Sequence, residues 1–236
     1  MSFEFSRQEI DKYLKELAVT YKKMNRRSTG VEIILIGGAS VIVNYGFRDI
    51  TTDIDAIILA DSVMKDAIRA VAEKNNLPED WLNDDFKRST SFTNKLIQHS
   101  EYYRTYANVV EVRTVREEYL IAMKLVAGRN YKRDLSDIVG IVQKIRKNGR
   151  AISWSDIDAA MIELYGGWEL VDDLMRHYAE LVLEQEDLTT MYLTLTEIED
   201  KNRRIRFADA GGVTTEGNII EEVDETEFLD ILNDRM

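Results

Sequence analysis

The chain has 236 residues, 44% of them hydrophobic and 9% aromatic, and a formal net charge of −12. That is enough apolar material for one packed domain with appended elements, while the longest apolar runs are too short to span a bilayer. The acidic balance argues against a broad, sequence-independent nucleic-acid surface, which needs clustered Lys and Arg; no cysteine and only two histidines, His99 and His177, argue against disulfides, thiolate metal sites and zinc.

The opening MSFEFSRQEIDKYLKEL lacks the basic start and apolar stretch of a signal peptide, so a cytoplasmic location is expected. Ser6 and Glu9 form a capping box, and Ile10, Tyr13, Leu14, Leu17, Tyr21 and Met24 follow at helical spacing. VEIILI, 31–36, is short, continuous and rich in branched residues, which predicts a buried strand. A Gly-Gly turn leads into a short helix, ASVIVNYGF, ended by Gly46, and DIDAIIL, 53–59, reads as a second strand. Asp61 and Ser62 are placed to cap a helix running to about Asn75, and NNLPEDWLNDDF reads as a loop punctuated by the single proline, Pro78.

ANVVEVRTV, 107–115, is a third strand, followed by the helices EEYLIAMKLVAGRN and LSDIVGIVQKIRKNG, the latter closing at Asn148-Gly149. A further helix opens around Trp154, Ser155 and Asp158 and breaks at Gly166-Gly167, with helical spacing onward to Glu186. Then come the basic knot KNRRIR, 201–206, a polar stretch with glycines, and an acidic end from Glu216 to Met236 that suits disorder or docking. The expected organisation is a main α/β (α+β) domain over 1–150, a helical region over 151–210, and an acidic tail over 211–236.

Two features carry chemistry. In an extended strand Asp53 and Asp55 share one face while Ile54 points into the core, so two carboxylates converge. They repel unless a cation sits between them, and hard oxygen ligands suit Mg²⁺ or Mn²⁺. The Gly37-Gly38 turn, leading from a strand into a helix, presents backbone N–H groups at a helix N-terminus, where a phosphate fits, and Ser40 adds a hydroxyl. A phosphate cradle beside a two-carboxylate metal site is the equipment for moving a nucleotidyl group from a metal-bound NTP.

"IGGAS" followed by "YGFRDITTDIDAII" resembles the signature of the nucleotidyltransferase superfamily typified by DNA polymerase beta, in a variety similar to the AbiEii-like toxins and related bacterial nucleotidyltransferase-fold proteins. Arg48, Thr52, Asp53 and Asp55 stand where that group carries an R-x-T-x-D-x-D-like stretch, with a looser Arg-to-Thr spacing and a longer gap from Gly38 to Asp53. "EEYLIAMKLVAGRNYKRDLSDI", 117–138, is similar to its downstream K-x-x-A…R…R-D-x-x-D segment, and "LPEDWLNDDF" is similar to a segment of its uncharacterised members.

The resemblance spans roughly 30–145. It implies a small mixed sheet flanked by helices, with the aspartates holding Mg²⁺ and a third carboxylate coming from a neighbouring strand. Glu111, alternating with Val110 and Val112, is the candidate for that acid. The alternative is an ordinary glutamate paired with Arg113 or Arg104.

In the downstream segment, Lys124 opposite a triphosphate would neutralise developing charge, and Arg129 or Arg133 would bind substrate phosphate, with Asp134 and Asp137 orienting them. The plain reading of this cluster is a salt-bridged helix surface.

Trp81 reads as a core anchor before a base-stacking residue; Asn83 suits a hydrogen bond to a base. Tyr102, Tyr103 and Tyr106 read either way, and His99 and His177 read as structural. The expected activity is transfer of an NMP from an NTP to an acceptor hydroxyl. By analogy with the AbiEii-like toxins the acceptor is a tRNA end, in a toxin–antitoxin or phage-defence setting with a cognate antitoxin; a protein or small-molecule acceptor stays open. The rival is a catalytically inactive nucleotide-binding or protein-interaction module on the same fold.

Overall fold

The computed structural model describes residues 3–25, 30–129 and 131–210, with side chains as far as 205 in the last helix. Contacts divide the chain into two compact units, Met1–Leu120 and Ile121–Met236. The division falls inside a helix, whereas the sequence motifs placed the domain boundary near 150. The acidic tail expected over 211–236 lies outside the described residues.

The first unit is built on a mixed five-stranded sheet. Its elements in chain order are β1 (Phe5–Ser6), α1 (Arg7–Met24), β2 (Val31–Leu35), α2 (Gly37–Asn44), β3 (Ile50–Thr51), β4 (Ile54–Leu59), α3 (Val63–Asn75), β5 (Leu82–Asn83), β6 (Ser100–Tyr106) and β7 (Val110–Val115). Two short 3₁₀ turns lie between β5 and β6. The strand order is β5-β4-β2-β7-β6. The strand β2 runs antiparallel to β4 and parallel to β7, β5 runs parallel to β4, and β6 returns antiparallel on β7.

One face of this sheet presents Val31, Ile33, Leu35, Ile54, Ala56, Val110 and Val112 to a core shared with α1 and α3. The amphipathic spacing read in α1 is borne out: Ile10, Tyr13, Leu14, Leu17 and Tyr21 are buried, and Ser6 and Glu9 make the reciprocal capping box. Trp81 is 1% exposed, donates from Nε1 to the Ile68 carbonyl at 3.2 Å, and packs against Phe5 and Tyr13. It is the core anchor.

The sequence did not announce β6. Its side chains are mostly exposed, SEYYRTY lacks an alternating apolar face, and the strand exists because it pairs along β7. Tyr103 and Tyr106 both donate to Asp11 of α1, which ties this edge strand to the first helix.

The helix α4 (Glu117–Ala127) crosses the division, and the second unit continues with α5 (Asp134–Lys147), α6 (Trp154–Tyr165), α7 (Asp173–Glu184) and α8 (Leu188–Ala210). The break at Gly166 is a left-handed C-cap with φ +86°, as the Gly-Gly pair suggested. The helix α6 starts at Trp154 as expected, with Ser153 and Asp156 forming its capping box, two residues before Ser155 and Asp158. The basic stretch 201–206 lies on α8. Asn202 of that stretch is buried, and Arg203 pairs with Asp200. Among the described residues no helix is long and apolar enough to cross a membrane.

Candidate active site

The chain enters the site along β2, whose last residues are buried. Ile36 is extended, and its N–H donates to the Asp55 carbonyl at 3.0 Å, so the end of β2 is tied to the start of β4 at the second aspartate. Gly37 then turns at φ +54°, a left-handed conformation that a side chain disfavours. A Cβ here would stand 3.7 Å from Asp55 Oδ2. The turn and the second carboxylate are therefore direct neighbours.

Gly38 is required for a different reason. A Cβ on it would fall 2.7 Å from Thr51 Oγ1 and 3.1 Å from the Arg48 guanidinium carbon. Arg48 Nε donates to the Ile50 carbonyl at 2.9 Å, and Thr51 Oγ1 lies at 3.5 Å from Asp53 Oδ1, the outer limit of a hydrogen bond. The loop carrying these residues is held by β3, which pairs with β1 through Phe5–Thr51 and Ser6–Ile50. Phe5 is fully buried, so the N-terminus fastens the aspartate loop to the core.

The threonine that faces the turn is thus Thr51, buried, and not the exposed Thr52 that the motif comparison placed there. With Thr51 the spacing reads T-x-D-x-D, which the doubled threonine concealed. Asp53 and Asp55 are half-buried, with fully buried Ile54 between them, as strand alternation requires. Ser40 is fully buried in the first turn of α2, and its Oγ has no hydrogen-bond partner among the described residues.

Glu111 is not brought to the aspartates. It shares their face of the sheet, but it pairs with Glu32 of β2, whereas Asp55 lies beside Ile36. Four residues along the strand at about 3.3 Å each put it roughly 13 Å away in level. Glu111 accepts from Arg113 Nη1 at 2.8 Å, which is the ordinary ion pair anticipated as the alternative. It also lines a cavity of about 340 Å³ at that far end of the sheet, with Gly30, Glu32, Thr105 and Asn108. Among the described residues no group of three or more His, Cys, Asp or Glu is placed to hold a metal.

In the second unit the downstream motif folds on itself. Lys124, 2% exposed, donates to Asp134 Oδ1 at 3.2 Å and Asp137 Oδ2 at 2.8 Å, and Arg129 Nε donates to Asp134 Oδ2 at 2.7 Å. Burial alone would raise the Asp134 carboxyl, but Lys124 and Arg129 hold it below its ordinary value. Arg133 makes a two-pronged bond to Asp200 of α8.

The element that closes this cluster was not legible in the sequence. Glu199 of α8 accepts the Leu135 N–H at 2.9 Å and the Ser136 N–H at 3.4 Å, capping α5 from a distance, and Ser136 Oγ bonds its other oxygen at 2.5 Å. Burial pushes the Glu199 carboxyl up to about 8.

The family model described as "Nucleotidyltransferase of unknown function (DUF6036)" matches residues 12–148, which takes in the Gly-Gly turn, the paired aspartates and the Lys124 cluster. No curated protein and no solved structure matches the chain. With the matching fold and more than half its length in the match, the chain belongs to this family of nucleotidyltransferases of unknown function.

Proposed function

We propose that the protein is a Mg²⁺-dependent nucleotidyltransferase that moves a nucleoside monophosphate from an NTP to an acceptor hydroxyl. The observation that carries this reading is the packing of the Gly37 turn, at a helix N-terminus, against the Asp55 carboxylate. The site fits the ion and substrate by its chemistry. It offers hard oxygen donors at Asp53 and Asp55 beside a glycine turn whose left-handed Gly37 a side chain disfavours. Mg²⁺ needs no more than one or two protein carboxylates when substrate phosphates complete its shell.

Asp53 and Asp55 would hold Mg²⁺ or Mn²⁺, which supplies charge neutralisation at the reacting phosphate. The N–H groups of the turn bind the triphosphate, while Ser40, fully buried, lies behind the turn. The acceptor oxygen attacks the α-phosphorus, the bond to pyrophosphate breaks, and the acceptor proton leaves to solvent. Lys124, Arg129 and Arg133 bond to Asp134, Asp137 and Asp200 within the second unit, so the reading rests on the residues of the first.

A tRNA end, in a bacterial toxin–antitoxin or phage-defence setting with a cognate antitoxin, is the first acceptor to test, on the resemblance to AbiEii-like toxins. Protein and small-molecule hydroxyls follow, because a net charge of −12 offers no broad surface for RNA phosphates. One observation favours a second reading, a nucleotide-binding module without transfer activity: Glu111 lies away from the aspartates and no third acid joins them among the described residues.

The test is incubation of the protein with each α-³²P-labelled NTP, Mg²⁺ and total cellular RNA and protein, beside Asp53→Ala/Asp55→Ala. Label on an RNA or protein band with wild type alone supports transfer and identifies the acceptor class. Mg²⁺-dependent NTP binding without label on any band supports the second reading.

A further inference from the structure

We propose that Asn83 is a nucleotide-binding residue whose side-chain amide donates to an oxygen of the NTP held at Asp53 and Asp55. This rests on the nucleotidyltransferase reading above and adds a residue from a strand that reading does not use.

The placement comes from the sheet. The strand β5 is two residues long, and its parallel register sets Leu82 beside Ile54 and Asn83 beside Asp55. The Ile54 N–H donates to the Trp81 carbonyl at 3.1 Å, which locks this register. Ladder partners point to the same face. Leu82 therefore joins Ile54 in the core, and Asn83 stands on the outer face next to Asp55, at the usual strand spacing of about 4.8 Å. On the other side of Asp55 is Ile36, the residue that leads into the Gly-Gly turn. At the level of the second aspartate the sheet thus reads amide, carboxylate, phosphate turn.

The amide is also oriented. Its Oδ1 accepts the Asp85 N–H at 3.0 Å, and Nδ2 gives one hydrogen to the Asp80 carbonyl at 3.1 Å. The second Nδ2 hydrogen has no acceptor among the described residues, and the side chain is half-buried. Trp81, sealed in the core two residues earlier, fixes the segment.

A neutral donor with its oxygen already committed suits this position. It binds a phosphate or ribose oxygen without competing for the metal, and it adds no negative charge beside Asp55. A carboxylate here would repel both its neighbour and the triphosphate.

Asn83→Asp is the informative variant, because its carboxylate still accepts the Asp85 N–H while the donor is replaced by charge. Asn83→Ala removes both and serves as the second variant. Full-length wild type, both variants and Asp55→Ala are titrated by calorimetry with Mn²⁺ alone and with Mg²⁺ plus each of the four NTPs, and their thermal transitions are recorded.

The expected result is NTP binding at least tenfold weaker in Asn83→Asp and weaker in Asn83→Ala, with Mn²⁺ binding in Asn83→Asp undiminished and its thermal transition near that of wild type. Wild-type NTP affinity in Asn83→Asp, loss of its Mn²⁺ binding in parallel, or loss of its cooperative transition would each overturn the assignment and leave Asn83 as a turn residue. If wild type binds NTP and Asp55→Ala does not, those failures touch Asn83 alone; if wild type binds no NTP, the nucleotidyltransferase reading falls with it.

Discussion

Gly38 and Thr51 are packed so closely that a Cβ on the glycine would stand 2.7 Å from the threonine hydroxyl. The contact joins the Gly-Gly turn to the loop carrying Asp53, whose Oδ1 is 3.5 Å from the same hydroxyl. Gly38→Ala must therefore push Thr51 and Arg48 outward and disturb Asp53. Overpacking of this kind costs on the order of 1–3 kcal/mol in stability, and a displacement near 1 Å in a reacting site costs on the order of 100-fold in rate. Nucleotide-transfer assays and thermal melts on Gly38→Ala check this. Wild-type transfer would show that the turn does not position the aspartates.

Thr51 and Thr52 should separate in the same assay. Thr51 is buried and reaches Asp53, whereas Thr52 is exposed. Thr51→Ala is expected to lower transfer about tenfold, the scale of one lost hydrogen bond near a charge, and Thr52→Ala to leave it within twofold. The reverse order would return the motif threonine to position 52.

Much of the site was readable because its chemistry is local. Alternation alone puts Asp53 and Asp55 on one face with Ile54 inward, and the Gly-Gly pair marks the turn. The errors came where the answer depends on register. Glu111 has the right parity and lies on the strand next to β2, but parity repeats every two residues and says nothing about level along the strand. Only pairing with Glu32 shows that it sits at the far end of the sheet. Asn83 is the converse case: a residue read within a loop becomes a neighbour of Asp55 through a two-residue strand too short to leave a pattern. The cap that Glu199 places on α5 is separated from it by more than 60 residues of chain, beyond any local signal.

Glu111→Gln tests the register directly. The Glu111–Arg113 pair is partly exposed, so its loss should cost no more than about 1 kcal/mol. Transfer and Mg²⁺-dependent NTP binding are expected to match wild type, while Asp55→Asn abolishes transfer. Loss of metal binding in Glu111→Gln would bring Glu111 back as a ligand.

Lys124 neutralises two buried aspartates, so its removal strands both charges. Lys124→Met should destabilise the protein by about 3–5 kcal/mol, the usual cost of breaking a buried pair. Adding Asp134→Asn and Asp137→Asn should recover a large part of that loss, because neither buried carboxylate is then charged, and Arg129, which also bonds Asp134, is partly exposed. Urea denaturation of the single and triple variants measures the difference; equal stability would mean that packing by the lysine stem, and not charge, holds the helices.

Glu199 gives the second unit a pH dependence opposite to that of Asp134. Its carboxyl is raised from 4.5 to about 8, so between those values the native protein holds a proton that the unfolded chain has released. Stability from this group is present in full below about 4.5 and falls as pH rises toward 8, by up to about 1.4 kcal/mol per pH unit. Asp134 is lowered, so its contribution is present above its ordinary 3.8 and is lost as pH falls. In Glu199→Gln the amide oxygen still accepts the Leu135 N–H and the nitrogen can donate to Ser136 Oγ, with no proton to lose. Urea unfolding from pH 4 to pH 9 should show stability declining toward alkaline pH in wild type and a flatter profile in the variant, with the acid-side loss kept in both. An unchanged alkaline slope in Glu199→Gln would mean that Glu199 is ionised when it caps α5, and that its bonds to Leu135 and Ser136 outweigh the cost of burying its charge.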